Sequence, residues 1–526
     1  MKRMTRLASL LVAAAMTVTL MSGCTNSNST TSTTKAAETT AAGATTAAGA
    51  TTAAATTKAS NGKFDFYIFN TKGENAVALQ AAVDAYSAKT GENIKVFSLG
   101  AGTNSSDALN TEMNSANMPT IFSIMNLQEL KGWVEGGYAL DLSKAADPAF
   151  KTLVDAIPAN LYLTNDSKTN YGVPYNVEGY GYVVDTLMLA DLFGADKVTA
   201  MVADIKTATY AEWEAFVLAL DAYIQSGTAG SVTLSGNSYA LVATKGALAA
   251  TLTGVFATAG SQTWTYGDHF LNVAIDAVFA NPSAAASATT AQLDSLKGAF
   301  LAYAKALDLK TSHAAGTAGP LARGPEFINT TTASYDASVQ LLADHKAVFL
   351  KQGNWVYSNI EKVNAEIVKT LTFVPVKMPF TAADIKAPGL TVEKMAKSIP
   401  VFVPNYYAIN AKSSADEQQK AEAFLVWLNT TDEGKKFVVE DMAFIPYNAD
   451  PATTTLPNSL GQSILEYLKT GDTLSNAYAG APTNWAGATV GQKVMESYLT
   501  KAVWTDADYE AIANYAIDQW KTMAAS

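Results

Sequence analysis

The sequence predicts an α/β protein built as more than one domain, and two observations carry the prediction. A chain of 526 residues that is 48% hydrophobic and 16% charged can bury a large core and is too long for one ordinary domain. From Phe64 onward, apolar runs of strand length alternate with helical periodicities, the pattern of a mainly parallel sheet covered by helices on both faces.

The elements follow in order. FDFYIF reads as a buried strand and leads through NTKGE into a helix with Leu79, Val83 and Tyr86 on one face. IKVFSLG is the second strand, and its helix carries Leu109 and Met113. PTIFSIM is the third; the helix after it presents Leu127, Leu130 and Val134 and stops at Gly136 and Gly137. Sheets of this kind hold ligands beyond the carboxyl ends of their strands, which singles out Asn70, Thr71 and Lys72 after the first strand and Ser123 to Asn126 after the third. Further on, AVFLKQGNWVYSNI is a short apolar run, a break at Gly353 and Asn354, and then two aromatics, Trp355 and Tyr357, at a strand exit.

Composition narrows the chemistry. A net charge of −11 argues against a nucleic-acid partner, which requires a basic patch. Three histidines, His269, His313 and His345, and a single cysteine, Cys24, offer no metal-ligand spacing and no disulfide within the chain. The sequence also lacks the G-x-S-x-G elbow, the G-x-x-x-x-G-K-[ST] phosphate loop and a G-x-G-x-x-G opening a helix. Neither a cofactor nor a metal is expected.

Lys2, Arg3 and Arg6 precede an apolar run from Leu7 to Met21, which makes residues 1–23 a secretion signal too short to span a membrane. The run ends in LMSGC, which resembles the lipobox of bacterial lipoproteins, with Met21 in place of the usual leucine. That resemblance implies lipid on Cys24 and anchoring to the outer face of the cell membrane, where two or more acyl chains hold a protein stably. Residues 24–61 are almost wholly Thr, Ala, Ser, Gly and Asn, with AAGATT at 41–46 and again at 47–52, and cannot form a core. As a flexible coil they would reach roughly 30 to 40 Å and serve as a tether.

In order along the chain, FNTKGENAVALQ, SAKTGENIKVFS, MPTIFSIMNLQELKGWVEGGYALDL, YGVPYNVEGYGYVVD, FLKQGNWVYSNI and FVPNYYAINAKSSADEQQKAEAFLVWLNTTDEGKKFV resemble the family 1 extracellular solute-binding proteins of bacterial ABC sugar importers, the group that includes the maltodextrin-binding protein. The resemblance covers nearly all of residues 64–526. It implies a two-lobed periplasmic-binding-protein type II fold, each lobe a mainly parallel sheet flanked by helices, with the ligand in the cleft between lobes. Because such a chain crosses its hinge more than once, both lobes are discontinuous: residues 62–177 with 400–455 form the first, and residues 178–399 with 456–526 the second. The stretch 225–330 is expanded relative to the family. The implied partners are a mono- or oligosaccharide, the permease subunits of an ABC importer and, through Cys24, the membrane; the implied state is a monomer without catalytic residues.

A sugar presents hydroxyls around its rim and flat C–H faces, so its site needs paired polar groups and aromatic rings. By the resemblance, Trp355 is the tryptophan that stacks on a sugar ring, with Asn354 where the family has proline, and Tyr357 follows it on the cleft wall. Glu178 in YNVEGYG stands where the first hinge crossing carries a sugar-binding carboxylate, and Tyr180 shares its side of an extended segment. Lys72 matches the lysine of an Asp-Lys-Gly turn, with Thr71 in place of the aspartate. Asn126 replaces a further aspartate and Ser123 a cleft tryptophan, departures that imply a sugar other than maltodextrin. Trp485 in PTNWAG falls near the second stacking tryptophan. Spacing alone adds Trp264 and Tyr266 in QTWTYGDHF. A glycan-cutting enzyme stays open at this level, since two carboxylates about 5 to 9.5 Å apart could be drawn from 47 acidic residues. A surface adhesin or sensor stays open too, because fold does not fix function.

Overall fold

The computed structural model describes residues 64–100, 106–125, 127–166 and 168–525, so the secretion signal, Cys24 and the tether lie outside the described residues. Along the chain the strands are β1 (Phe66–Asn70), β2 (Ile94–Ser98), β3 (Ile121–Ile124), β4 (Val173–Pro174), β5 (Glu178–Asp185), β6 (Ser231–Leu234), β7 (Asn237–Ala240), β8 (Gly254–Ala257), β9 (Ala347–Gly353), β10 (Leu371–Val374), β11 (Ile399–Phe402), β12 (Tyr406–Ile409) and β13 (Thr473–Leu474).

The first lobe is built on the sheet β2-β1-β3-β12-β4. Its first three strands alternate with helices at Ala76–Thr90, Ser106–Met113 and Leu127–Glu135, and β1 runs parallel to both β2 and β3. Two-residue alternation sends Phe66 and Ile68 to one face, against Leu79, Val83 and Phe424, and Phe69 to the other, against Phe122 and Leu130. The helix Ala415–Thr430 that covers the first face starts on a capping box, in which Ser414 Oγ accepts from the Glu417 N–H and the Glu417 carboxylate accepts from the Ser414 N–H at 2.8 Å.

The second lobe is built on the sheet β13-β11-β5-β9-β8, with β10 also paired to β5. This sheet is mixed rather than mainly parallel: β5 runs antiparallel to β9, β10 and β11, while only the β8–β9 and β11–β13 pairs are parallel. For the β5–β11 pair the cause is the hinge. β5 carries the chain out of the first lobe and β11 carries it back, so two strands that cross one border in opposite senses lie antiparallel. All eight residues of β5, EGYGYVVD, are buried. Tyr180, Tyr182 and Val184 face a large core completed by the helix Lys297–Ser312, and Val183 faces a second core with Leu350 and Phe373. Within 225–330 the chain adds the β6–β7 hairpin and that helix, whose Ala299, Ala302 and Ala306 are buried in the same core.

Three segments join the lobes. The first lies between β4 and β5, and the second between β11 and β12. The third passes Ile445, which bridges Val177 of the first crossing through a 2.8 Å backbone hydrogen bond. The return crossing falls at 403–405, later than the boundary at 400 expected from sequence, because Val401 and Phe402 still pair with Gly179 and Glu178 on β5.

Candidate ligand cleft

Between the two sheets lies a cavity of about 520 Å³. The ends of four strands supply much of its wall, as is usual for helix-flanked sheets. Thr71, Lys72 and Glu74 follow β1, Met125 follows β3 and precedes Glu129 on the next helix, Trp264 follows β8, and Trp355 follows β9. Tyr335, Tyr478 and His269 come from the second lobe, Phe402 from the end of β11 and Asn405 from the return crossing.

The turn that presents Lys72 is built by Asn70. Its Nδ2 donates to Lys72 O at 2.9 Å and Ser98 Oγ at 3.0 Å, and its Oδ1 accepts from Lys72 N at 3.0 Å and Tyr175 Oη at 2.9 Å. A fully buried amide with its bonds used in this way has no capacity for a ligand. Asn70 therefore shapes the turn from below and does not line the cavity.

Aromatic groups from separate segments converge around His269. Its ring centroid lies 4.6 Å from Tyr180, 4.9 Å from Trp355, 5.5 Å from Trp264 and 6.0 Å from Tyr478. Trp355 is half-buried and donates from Nε1 to Gln352 Oε1 at 3.0 Å, which fixes its orientation. The indole folds back over Gly353, where a Cβ would meet ring carbons at 2.1 Å, so glycine is required by close approach. Asn354 makes a structural bond, its Oδ1 accepting from Gly179 N at 3.0 Å and tying the exit of β9 to the start of β5. The loop bearing Asn476 and Tyr478 is held by the helix His269–Asp276: Asn272 Oδ1 accepts from Tyr478 N at 2.9 Å, and Asp276 accepts from Ser475 Oγ at 2.9 Å.

The charged lining is dominated by one ion pair between the lobes. Lys72 Nζ lies 2.5 Å from Glu178 Oε1 and 3.3 Å from Glu74, and Asn176 Nδ2 donates to the same Glu178 oxygen at 3.2 Å. Burial disfavours the Lys72 ammonium, but the Glu178 and Glu74 carboxylates outweigh it and raise the pKa above the ordinary lysine value, holding the group charged. On the opposite wall, burial pushes the Asp268 carboxyl up to about 7, against the pull of the Gly487 N–H that it accepts and of Lys351. Burial, with Lys351 and Lys72 nearby, pushes His269 well down, so its imidazole is neutral at pH 7. Three buried polar atoms of the lining, Thr71 Oγ1, His269 Nδ1 and Asn405 Oδ1, have no hydrogen-bond partner among the described residues, and all three suit a hydroxyl-rich ligand.

Of the residues singled out from sequence, Trp355, Glu178, Lys72, Thr71 and Trp264 lie in the lining. Tyr180 lies just beneath it, fully buried under His269, with its hydroxyl on Asn476 Oδ1 at 3.2 Å; Glu178 sits at the very start of β5, whereas two residues further in the strand is already covered. Ser123 is buried on β3 opposite Tyr407, and Tyr357, half-buried, packs against a core of the second lobe and is not in the lining. Trp485 is a core residue, its Nε1 donating to Ala516 O at 2.9 Å and its ring 4.4 Å from Trp520; its neighbours Asn484, Ala486 and Gly487 line the cavity instead. Tyr266 is likewise sealed, bonded to Gly260 O at 3.0 Å. Asn126 lies outside the described residues. Asp268, His269, Tyr335, Asn476 and Tyr478 were not singled out, although Asp268 and His269 share the QTWTYGDHF segment with Trp264.

Residues 81–459, well over half the chain, match the family described as bacterial extracellular solute-binding protein. This protein belongs to that family. Solved structures place the solute-binding chain in the same two-lobed fold. It resembles a chitin oligosaccharide binding protein at 15% identity and a TM-score of 0.57, over 88% of this chain and 99% of that one. It resembles the GacH receptor of Streptomyces glaucescens, solved unliganded and with acarbose, at 10% identity and a TM-score of 0.56, over 88% and 98%. A sugar transporter protein from Bacillus licheniformis, in complex with stachyose, gives 14% and 0.54, over 87% and 99%. No curated protein sequence matches it. Members of the family bind solutes rather than transform them, so the glycan-cutting reading has no support.

Proposed function

We propose that this solute-binding protein captures a mono- or oligosaccharide between its lobes and delivers it to the permease of an ABC importer. The observation that carries the reading is the composition of the cleft: half-buried indoles of Trp355 and Trp264, suited to C–H faces, stand beside buried polar atoms from both lobes that suit hydroxyls. Structural relatives named for chitin oligosaccharide, acarbose and stachyose point the same way. A sugar that touches both lobes only when they are closed stabilises the closed arrangement by its differential affinity. Affinity near micromolar, about −8 kcal/mol, suits capture followed by release. The LMSGC segment supports an anchor at Cys24, with residues 24–61 lifting the binding body off the outer membrane face as a monomer. No helix among the described residues is long and apolar enough to cross a membrane.

A thermal-shift screen over mono- and oligosaccharides tests this reading. At least one sugar should raise the melting temperature and be recovered intact by chromatography. Cleavage of the sugar, or no shift from any saccharide in the panel, would contradict it.

A further inference from the structure

The loop that brings Asn476 and Tyr478 to the cleft is fixed from behind by the helix His269–Asp276. Asn272, fully buried, commits both ends of its amide to that loop: Oδ1 accepts from Tyr478 N at 2.9 Å, and Nδ2 donates to Ser475 O at 3.1 Å. A backbone N–H only donates and a carbonyl only accepts, so this amide has a single orientation. Its Nδ2 also donates to Asp276 Oδ2 at 2.7 Å, while Asp276 Oδ1 accepts from Ser475 Oγ at 2.9 Å and from Ala477 N at 3.2 Å. The residues on either side of Asn476 are thereby held in place.

Asn476 stands at the N-cap of the turn Ala477–Gly480, where an asparagine ordinarily bonds to its own helix start, yet its side chain makes no capping bond. Its oxygen goes to Tyr180 instead: Oδ1 accepts from the Tyr180 hydroxyl at 3.2 Å. Tyr180 is sealed beneath the lining, whereas Asn476, 7% exposed, is part of it. With the amide oxygen turned down to Tyr180, the Nδ2 end is the one left for the cavity. We propose, resting on the sugar reading above, that Asn476 is a ligand-binding residue that donates from Nδ2 to an oxygen of the saccharide, and that Tyr180 is the positioning residue that sets its amide that way round. The direction of the bond matters. At the return crossing the unpartnered Asn405 Oδ1 can only accept, so a donor at Asn476 and an acceptor at Asn405 together suit a hydroxylated ring, whose groups take both roles. A flipped Asn476 would offer the cavity a second acceptor. An amide oriented before the ligand arrives also loses no rotamer freedom on binding.

The test is calorimetric titration of the mature protein with glucose, galactose, xylose, chitotriose, raffinose and stachyose, the tightest binder then being carried through a double-mutant cycle. Asn476→Ala should weaken that sugar by at least ~10-fold, the loss expected for a hydrogen bond made in a desolvated site. Tyr180→Phe keeps the ring stacked on His269. It should weaken binding about 3- to 10-fold in the native background and add nothing in Asn476→Ala, where no amide is left to orient. A hydroxyl that served packing alone would cost the same factor in both backgrounds. In protein carrying 15N only at asparagine, the Asn476 side-chain amide protons, assigned by their absence from Asn476→Ala, should move downfield on saturation with the sugar. Urea denaturation of each empty variant checks that it is folded. An Asn476→Ala protein that binds normally, a Tyr180→Phe penalty that is absent or equal in the two backgrounds, or an unmoved amide signal overturns the proposal while leaving the sugar reading in place. No binding of any of the six sugars by the native protein overturns both.

Discussion

Trp355→Ala is expected to weaken sugar binding by roughly 30- to 1000-fold, about 2–4 kcal/mol, while costing the empty protein much less stability than the loss of a core tryptophan. The binding figure is that of a large aromatic anchor truncated at the centre of a desolvated site. The modest stability cost follows from the half-buried position of the ring, which lies tilted against His269 and donates its indole N–H to Gln352. Loss of a sealed tryptophan costs about 3–5 kcal/mol, and Trp485 and Trp520 are the residues placed to show that penalty. Gly353→Ala offers an independent check. Its φ of −103° suits alanine, yet the new methyl would displace the indole, so binding should fall while the Trp355 side chain is still present. Calorimetry with the best sugar of the panel, together with urea denaturation of each empty variant, measures both quantities. A Trp355→Ala protein that binds normally, or that loses stability as Trp485→Ala does, would assign this ring to the core.

The second large effect concerns the ion pair between the lobes. Lys72→Met leaves Glu178 buried beside Glu74 without a cation, and removing one partner of a buried pair costs about 3–5 kcal/mol. The double substitution Lys72→Met with Glu178→Gln removes the orphaned charge and should recover much of that loss. The single variant should also acquire a pH dependence whose sign is fixed. Burial already pushes the Glu178 carboxyl up against the pull of Lys72, and without the lysine it rises further. A carboxyl whose folded-state pKa exceeds its unfolded value contributes stability below the unfolded pKa and loses it as pH rises through the folded pKa. Lys72→Met should thus lie closest to the native protein near pH 4 and fall away towards pH 8. Urea midpoints across that range measure it; a flat difference would mean that the carboxylate is not the cause.

How much of this was legible in the sequence follows from the range of the interactions involved. The first three strands and helices are local patterns of period two and 3.6, and they appear where FDFYIF, IKVFSLG and PTIFSIM place them. Lys72 and Trp355 were legible because each stands at a strand exit next to a chain break. The antiparallel course of β5 was not, since it depends on a partner, β11, more than two hundred residues away, and on the sense in which the chain recrosses the hinge. Tyr335 and Tyr478 carry no local signal, and only the folding of the second lobe brings them into the lining beside Asp268. Trp485 shows the reverse case. Its loop does reach the cleft, but the side chain turns inward to Ala516 at the start of the helical turn Ala486–Gly491, a direction that residue type alone does not encode.

The central claim is that one ligand is held by both lobes at once. Small-angle X-ray scattering of the mature protein, with and without a saturating amount of the sugar that binds best, tests it most directly. The account predicts a smaller radius of gyration and a shorter maximum dimension in the bound sample, with the change reduced in Trp355→Ala at the same sugar concentration. Superimposable curves from empty protein and from protein shown by calorimetry to be saturated would contradict it.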